Sequence, residues 1–438
     1  MKISCRILAG LVGLGWMAVS CSSTGPTGSE ADPPLMEVIT DPTVMTRELG
    51  GVPPPSKEAL ETMHRSDYVL HAKAGKLTQV PVKKVLLPHA EPMTPQGGTS
   101  VDLGLDGTVY VRQANKLCTS TDGGLTWSER EVNAPSGFEI HQTGRWKVLS
   151  DGSFLCVAVA TGKDERAPAE VWTSQDQGQS WERTAQIALD LKMPGTGTPY
   201  DERYCHRGLD RLQDDTLLWT IDVRSDADAE TGLPRQHGLF LFRSGDKGRT
   251  WQGPTLMWDW GSEGSATRLP SGEILATMRY QRDKHPQDSA EIVNHMGAYP
   301  RTPENPGFKN VFLVNSSDDG ATWTRPRMLT TVYGQTFGYP AVQSDGTAVV
   351  VHDTRYGPGP PGSRAMVSRD EGQTWEDEVY YLDSTNFTGS YSASLVLEDD
   401  TILTIAASSV GGSWDAVRDK TDLYAIRWKP VKDGQSTQ

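Results

Sequence analysis

The chain has 438 residues, 36% of them hydrophobic, with 44 Gly, 13 Trp and a formal net charge of -14. That charge leaves no basic stripe to meet phosphates, which excludes a nucleic-acid partner, and an anionic ligand would need a local cluster of Arg. A chain this rich in turn formers and Trp suits an all-β protein, and a closed repeat architecture can use the whole length as one domain.

Residues 1–20 read as a signal peptide. Lys2 and Arg6 precede the apolar run Ile7–Val19, which is too short to span a bilayer as a mature helix. The following Ala18-Val19-Ser20-Cys21 resembles the bacterial lipobox. The resemblance implies that Cys21 is lipidated and that the chain is exported and held at a membrane, in the periplasm or on the cell surface. A soluble secreted protein is the alternative. Residues 21–66 form a tether rich in Ser, Thr, Gly and Pro, ending in a short helix over Lys57–His64 with Ser56 as its N-cap. Residues 67–432 read as strands and turns, and residues 433–438 as a polar tail. Cys118, Cys156 and Cys205 are too widely spaced for a disulfide framework or a zinc site. Cys118 and Cys156 read as small buried strand residues. No cofactor and no metal is expected.

Two repeats organise the strand region. One is an apolar run, a turn pair and a second apolar run, six times over. Its turns are Asp106-Gly107, Asp151-Gly152, Asp214-Asp215, Ser271-Gly272, Asp345-Gly346 and Asp399-Asp400. Gly, Asp and Asn tolerate the positive φ of tight turns, so each copy predicts a β-hairpin. The other is STDGGLTW at Ser120–Trp127, which returns as SQDQGQSW, SGDKGRTW, SSDDGATW and SRDEGQTW after the second to fifth hairpins. Its hydroxyls and carboxylate can bond the turn's own backbone, its Gly can take positive φ, and its Trp can cover neighbouring strands. One carboxylate per loop is far short of a calcium site. Each unit is therefore four strands, and six units predict a six-bladed β-propeller with five such turns. The sixth blade lacks the motif; its third strand is expected at Asp422–Trp428 and its outer strand within Val69–Leu87.

The repeated S-x-D-x-G-x-T-W resembles the Asp box of the sialidase (neuraminidase) superfamily, whose propellers include other glycosidases, lyases and binding proteins. Both turns of each blade lie at one end, so the opposite, top rim is where a site is expected. There the connections Arg224–His237 and Arg279–Lys309 are long. Eight residues before each turn stand Gly98, Thr143, His206, Glu263, Phe337 and Tyr391. Arg112, Arg224, Arg279 and Arg355 follow the turns at even offsets, which puts them on one face of their sheets unless a bulge intervenes.

The resemblance implies a sialidase-type exo-glycosidase that releases a terminal acidic sugar by a retaining mechanism. Tyr391 in GSYSASLVLEDD is similar to the family's nucleophile, and Glu263 in EGSATRLPSG to its partner. Arg279, with Arg355 or Arg364, is similar to the carboxylate clamp. A phenol avoids repulsion by the substrate carboxylate, and its ordinary pKa of ~10 requires an adjacent base. The family's blade-1 Arg and Asp are missing, since PQGGTSVDL carries no Arg and the Arg112–Lys116 connection no acid. Arg112 and Arg224 are candidates to replace the clamp; Asp201, Glu202 or His206 in PYDERYCHRG are candidates for the acid. The alternatives are a different acidic-sugar glycosidase or polysaccharide lyase on the same propeller, or a non-catalytic glycan-binding lipoprotein.

Overall fold

The computed structural model describes residues 52–88, 100–160, 167–192, 200, 202–225, 236–283, 290, 307–330, 334–355, 359–384, 392–408 and 422–432. Six antiparallel sheets form the blades of a propeller, and their innermost strands touch in a closed ring. From the axis outward, blade 1 is Ser100–Leu103, Val109–Gln113, Lys116–Ser120 and Ser128–Glu131. Blade 2 is Trp146–Val148, Phe154–Ala158, Ala169–Ser174 and Glu182–Ile187, and blade 3 is Glu202–Arg211, Leu217–Ser225, Gln236–Ser244 and Gln252–Asp259. Blade 4 is Gly261–Arg268, Ile274–Asp283, Gly307–Ser316 and Arg327–Met328. Blade 5 begins with Gln335–Val342, Ala348–Thr354, Gly362–Ser368 and Glu378–Tyr381, and blade 6 with Ala393–Val396, Ile402–Ser408 and Asp422–Trp428.

The N-terminal region contributes strands to two blades. Lys83–Leu86 supplies the outer strand of blade 6, within the expected stretch. Tyr68–Lys73 and Lys76–Pro81 add two further strands to blade 5, which the repeat pattern did not announce. Glu378 anchors this addition without exposing any of its surface. It accepts from Tyr380 at 2.7 Å and lies 3.0 Å from His71, 2.9 Å from Lys73 and 2.7 Å from Arg369. The helix Lys57–His64 forms as expected, with the Ser56 hydroxyl accepting from the Ala59 N–H at 3.1 Å. Leu60 and Met63 pack it into the core between blades 5 and 6, so the packed unit takes in this helix.

The bottom rim follows the motif. In blade 1, Ser120 Oγ donates to Asp122 at 2.7 Å and accepts from the Gly124 N–H at 2.8 Å. Asp122 accepts from the Thr126 N–H at 2.9 Å and hydroxyl at 2.6 Å, and Trp127 Nε1 donates to Gly124 O at 3.1 Å. The other four copies repeat these carboxylate bonds. Each turn also serves as a wedge between blades. A Cβ on Gly124 would stand 3.0 Å from Leu403 of blade 6, and one on Gly320 would stand 2.8 Å from Leu241 of blade 3. Both glycines have positive φ, so no other residue fits there without strain.

The top ends of the innermost strands carry a second repeat. Where the sequence reads Thr143-Gly144, Glu263-Gly264 and Phe337-Gly338, the Gly carbonyl is hooked by the preceding blade. Arg112 of blade 1 donates to Gly144 O, Thr220 of blade 3 to Gly264 O at 3.4 Å, and Thr277 of blade 4 to Gly338 O at 2.6 Å. All three donors stand six residues after their own turn. In blades 4 and 5 the hooked peptide belongs to a bulge: register skips between Ser262 and Ser265 and between Thr336 and Tyr339. Glu263 and Phe337 consequently adopt φ of 50° and 61°.

Candidate functional site

The described part of the top rim centres on Glu263. This side chain is 6% exposed and lies 3.1 Å from Arg279 Nη1. Arg279 Nε donates to the Ser262 hydroxyl at 2.9 Å, which fixes the plane of the guanidinium. The fully buried Asp222 of blade 3 faces the same bulge, with Oδ1 3.4 Å from the Glu263 N–H. A non-glycine residue held left-handed is strained by roughly 1–3 kcal/mol and persists where its surroundings over-determine it. Here the Thr220 hook, the Asp222 contact and the Arg279 ion pair do so. Glu263 is thus paired with Arg279; its expected partner Tyr391 lies outside the described residues.

The even-offset arginines do share a face, but that face looks toward the next blade. Leu218 packs with the blade-4 core, which places Asp222 and Arg224 on the same side of blade 3. Leu275 packs with blade 5, and Arg279 continues its row. Arg112 is absorbed by structure: 1% exposed, it donates to Ala114 O at 3.1 Å and to Gly144 O, and it lies 4.8 Å from the Trp146 ring centre. Burial lowers its pKa to about 10, still a cation at neutral pH. Its partners make it the blade-1 hook and remove it as a clamp candidate.

Arg355 and Arg364 do not form one pair on one surface. Arg364 stands opposite His352 on the face that packs on blade 4, and lies 4.9 Å from the Tyr381 ring centre. Arg355 is half-buried just beyond the second strand of blade 5, its N–H donating to Gly334 O at 3.2 Å. Burial, then the Arg364 charge, pushes His352 down to about 3, so it is neutral at pH 7. Tyr391, Asp201 and Cys21 lie outside the described residues, as do the side chains of Glu202 and His206 and residues 226–235, 284–289 and 291–306 of the two long connections. Ser392, next to Tyr391, is buried with its hydroxyl 2.7 Å from that of Ser363.

Sequence reading missed the axis. Lys147 projects from the innermost strand of blade 2 and Arg145 from the residue just before it, and Asp102 and Asp210 project from the innermost strands of blades 1 and 3. Asp102 accepts the Val148 N–H at 2.7 Å and Asp210 the Ala266 N–H at 2.8 Å, each joining its blade to the next. Burial raises the Asp210 carboxyl above its usual range, against the pull of Arg145 and Lys147. A signal was available: Asp102, Lys147 and Asp210 all stand four residues before their turns. Among the described residues no group of three or more His, Cys, Asp or Glu could hold a metal, and no helix is long and apolar enough to cross a membrane. Cys118 and Cys156 are buried free thiols, and burial pushes Cys118 up to about 11.

This fold, with its repeated turns, has a family. The chain belongs to the BNR repeat-like domain family, whose model matches residues 104–352. No curated protein sequence matches the chain. Among solved structures it is similar to an α-L-arabinofuranosidase of Fusarium graminearum, with a TM-score of 0.52 and 16% identity over 79% of this chain and 97% of that one. It is also similar to an α-L-arabinanase of Penicillium chrysogenum, with a TM-score of 0.51 and 14% identity over 80% and 98% of the two chains. A Hadza microbial sialidase aligns with a TM-score of 0.51 and 15% identity over 81% of this chain and 70% of that one. At these identities the likeness is one of fold.

Proposed function

We propose that the chain is a glycoside hydrolase that releases a terminal acidic sugar of sialic acid type from a glycan or glycoconjugate. The observation that carries the reading is the buried Glu263–Arg279 pair, held on a left-handed bulge at the top rim. A carboxylate kept in a strained backbone, beside a cation and out of bulk water, is costly for stability alone. The three fold neighbours above are named as glycosidases, which supports the reaction class.

In this reading Tyr391 attacks the anomeric carbon through its phenolic oxygen while Glu263 takes the phenolic proton. The aglycone leaves with a proton from Asp201 or His206. Water then attacks the anomeric carbon and gives its proton to the deprotonated Asp201 or His206, while the departing Tyr391 phenolate takes its proton back from Glu263. Arg279 orients Glu263, and Arg224, Arg355 and Arg364 are further cations near the rim. The test is hydrolysis of a fluorogenic sialic acid glycoside by the wild type and by Tyr391→Phe. No wild-type turnover overturns the substrate; turnover that survives the substitution overturns the nucleophile.

Asp222 favours a second reading. It is a buried carboxylate from the neighbouring blade beside the Glu263 backbone, and a carboxylate pair suits a neutral sugar. Turnover of an α-L-arabinofuranoside that survives Tyr391→Phe but not Asp222→Asn selects it. The lipobox-like Ala18–Cys21 segment supports anchoring through lipid on Cys21. Cys21→Ser should then leave the chain in the soluble fraction of expressing cells; an unchanged membrane fraction argues against the anchor.

A further inference from the structure

We propose that Arg145, which reaches across the propeller axis, binds the carboxylate of the substrate. The inference rests on reading the top rim as an acidic-sugar site, and it adds a specificity-determining residue from a blade to which sequence analysis gave no role.

Arg145 starts on blade 2 and crosses the axis. Its Nη1 donates to the Ser265 hydroxyl of blade 4 at 2.7 Å. Its guanidinium carbon lies 4.7 Å from the Tyr339 ring centre and 5.6 Å from that of Phe337, both on blade 5. Phe337 holds the same register position as Glu263, and these two form the next layer toward the top. A group descending the axis from the rim therefore meets Arg145 directly beneath the Glu263 layer.

Arg145 is 3% exposed, yet its Nη1 bonds a neutral hydroxyl and its Nε has no hydrogen-bond partner among the described residues. Its nearest carboxylate contact, Asp210, is 3.9 Å away and already accepts the Ala266 N–H. By contrast, Arg279 is paired with Glu263 at 3.1 Å. Taking a guanidinium out of water without a close anion is costly, and a ligand carboxylate would complete its hydrogen bonds. The Tyr339 ring holds the guanidinium in place beforehand, so little side-chain freedom is lost on binding.

The test compares N-acetylneuraminic acid with its methyl ester by calorimetry, since the two differ in the charge. The wild type should bind the acid at least about 10-fold more tightly, and Arg145→Met should bind acid and ester alike. Arg145→Lys, which keeps the charge and loses the planar fork, should fall between them; it also carries the test if Arg145→Met does not fold. A variant with a lower Tm but an undiminished preference for the acid makes Arg145 a structural plug and overturns the inference, leaving the site reading intact. A wild type with no preference for the acid overturns both.

Discussion

At the bottom rim five blades repeat the same eight-residue turn, and the five turns make the same carboxylate bonds. At the top rim the residue eight places before the turn is Thr143, His206, Glu263 or Phe337, according to blade. In blades 2, 4 and 5 the backbone device beneath it recurs, a Gly carbonyl hooked by the preceding blade. Where a repeat keeps its side chains, they answer to their own backbone and to the next blade. Where it keeps the backbone and varies the side chain, the side chain is free to answer to something outside the fold.

The largest effects should come from splitting the buried pair at the top. Arg279→Met leaves Glu263 buried without its cation, which should cost roughly 3–5 kcal/mol of stability and remove turnover. Urea unfolding and a fluorogenic assay read the two losses separately. Normal stability would mean that the pair is solvated and that the top rim is no more special than the bottom.

Arg112→Met sharpens the comparison from the other side. Loss of its bonds to Gly144 O and Ala114 O should cost about 2–3 kcal/mol, with kcat/KM unchanged in the folded fraction. A raised KM at normal stability would return Arg112 to the clamp. Thr277→Val removes a neutral hook and should cost only about 1 kcal/mol, again with unchanged kinetics.

Acid should act on the two ends in different ranges. Burial, with Lys84 and Arg65, holds His64 at about 4, and burial with Arg364 holds His352 at about 3, both below the ordinary 6.5. The unfolded chain takes up these protons first, so stability is full above pH 6.5 and falls as the pH drops toward 4. The Thr126 hydroxyl and its N–H depress Asp122 below its ordinary 3.8, so the bottom turns weaken only below that pH. Tm followed from pH 7 to 3 should show the earlier fall, and His352→Gln should flatten it. An unchanged slope would show that His352 is solvated.

The sequence displayed most of this fold because the turn chemistry is local. Asp-Gly pairs and the Ser-Asp-Gly-Thr-Trp pattern satisfy backbone groups within eight residues, so blade number, strand order and polarity could be counted. The two strands added to blade 5 were hidden because their partner, Glu378–Tyr381, lies some three hundred residues away. At the site, Glu263 and Arg279 were legible as facing positions on one hairpin. Arg145 and Asp222 were not: their roles depend on a bulge and on neighbouring blades. The Gly after Thr143, Glu263 and Phe337 marks those hooks, and it acquires meaning only once three blades are aligned on their turns.

The most direct test of the division between the rims is a paired measurement on Glu263→Gln and Asp122→Asn with the fluorogenic acidic-sugar substrate. Glu263→Gln should lose about 10²–10⁴-fold in kcat/KM. Asp122→Asn should lower Tm and leave kcat/KM at the wild-type value. Full activity in Glu263→Gln together with lost activity in a stably folded Asp122→Asn would contradict that division and move the chemistry to the bottom rim.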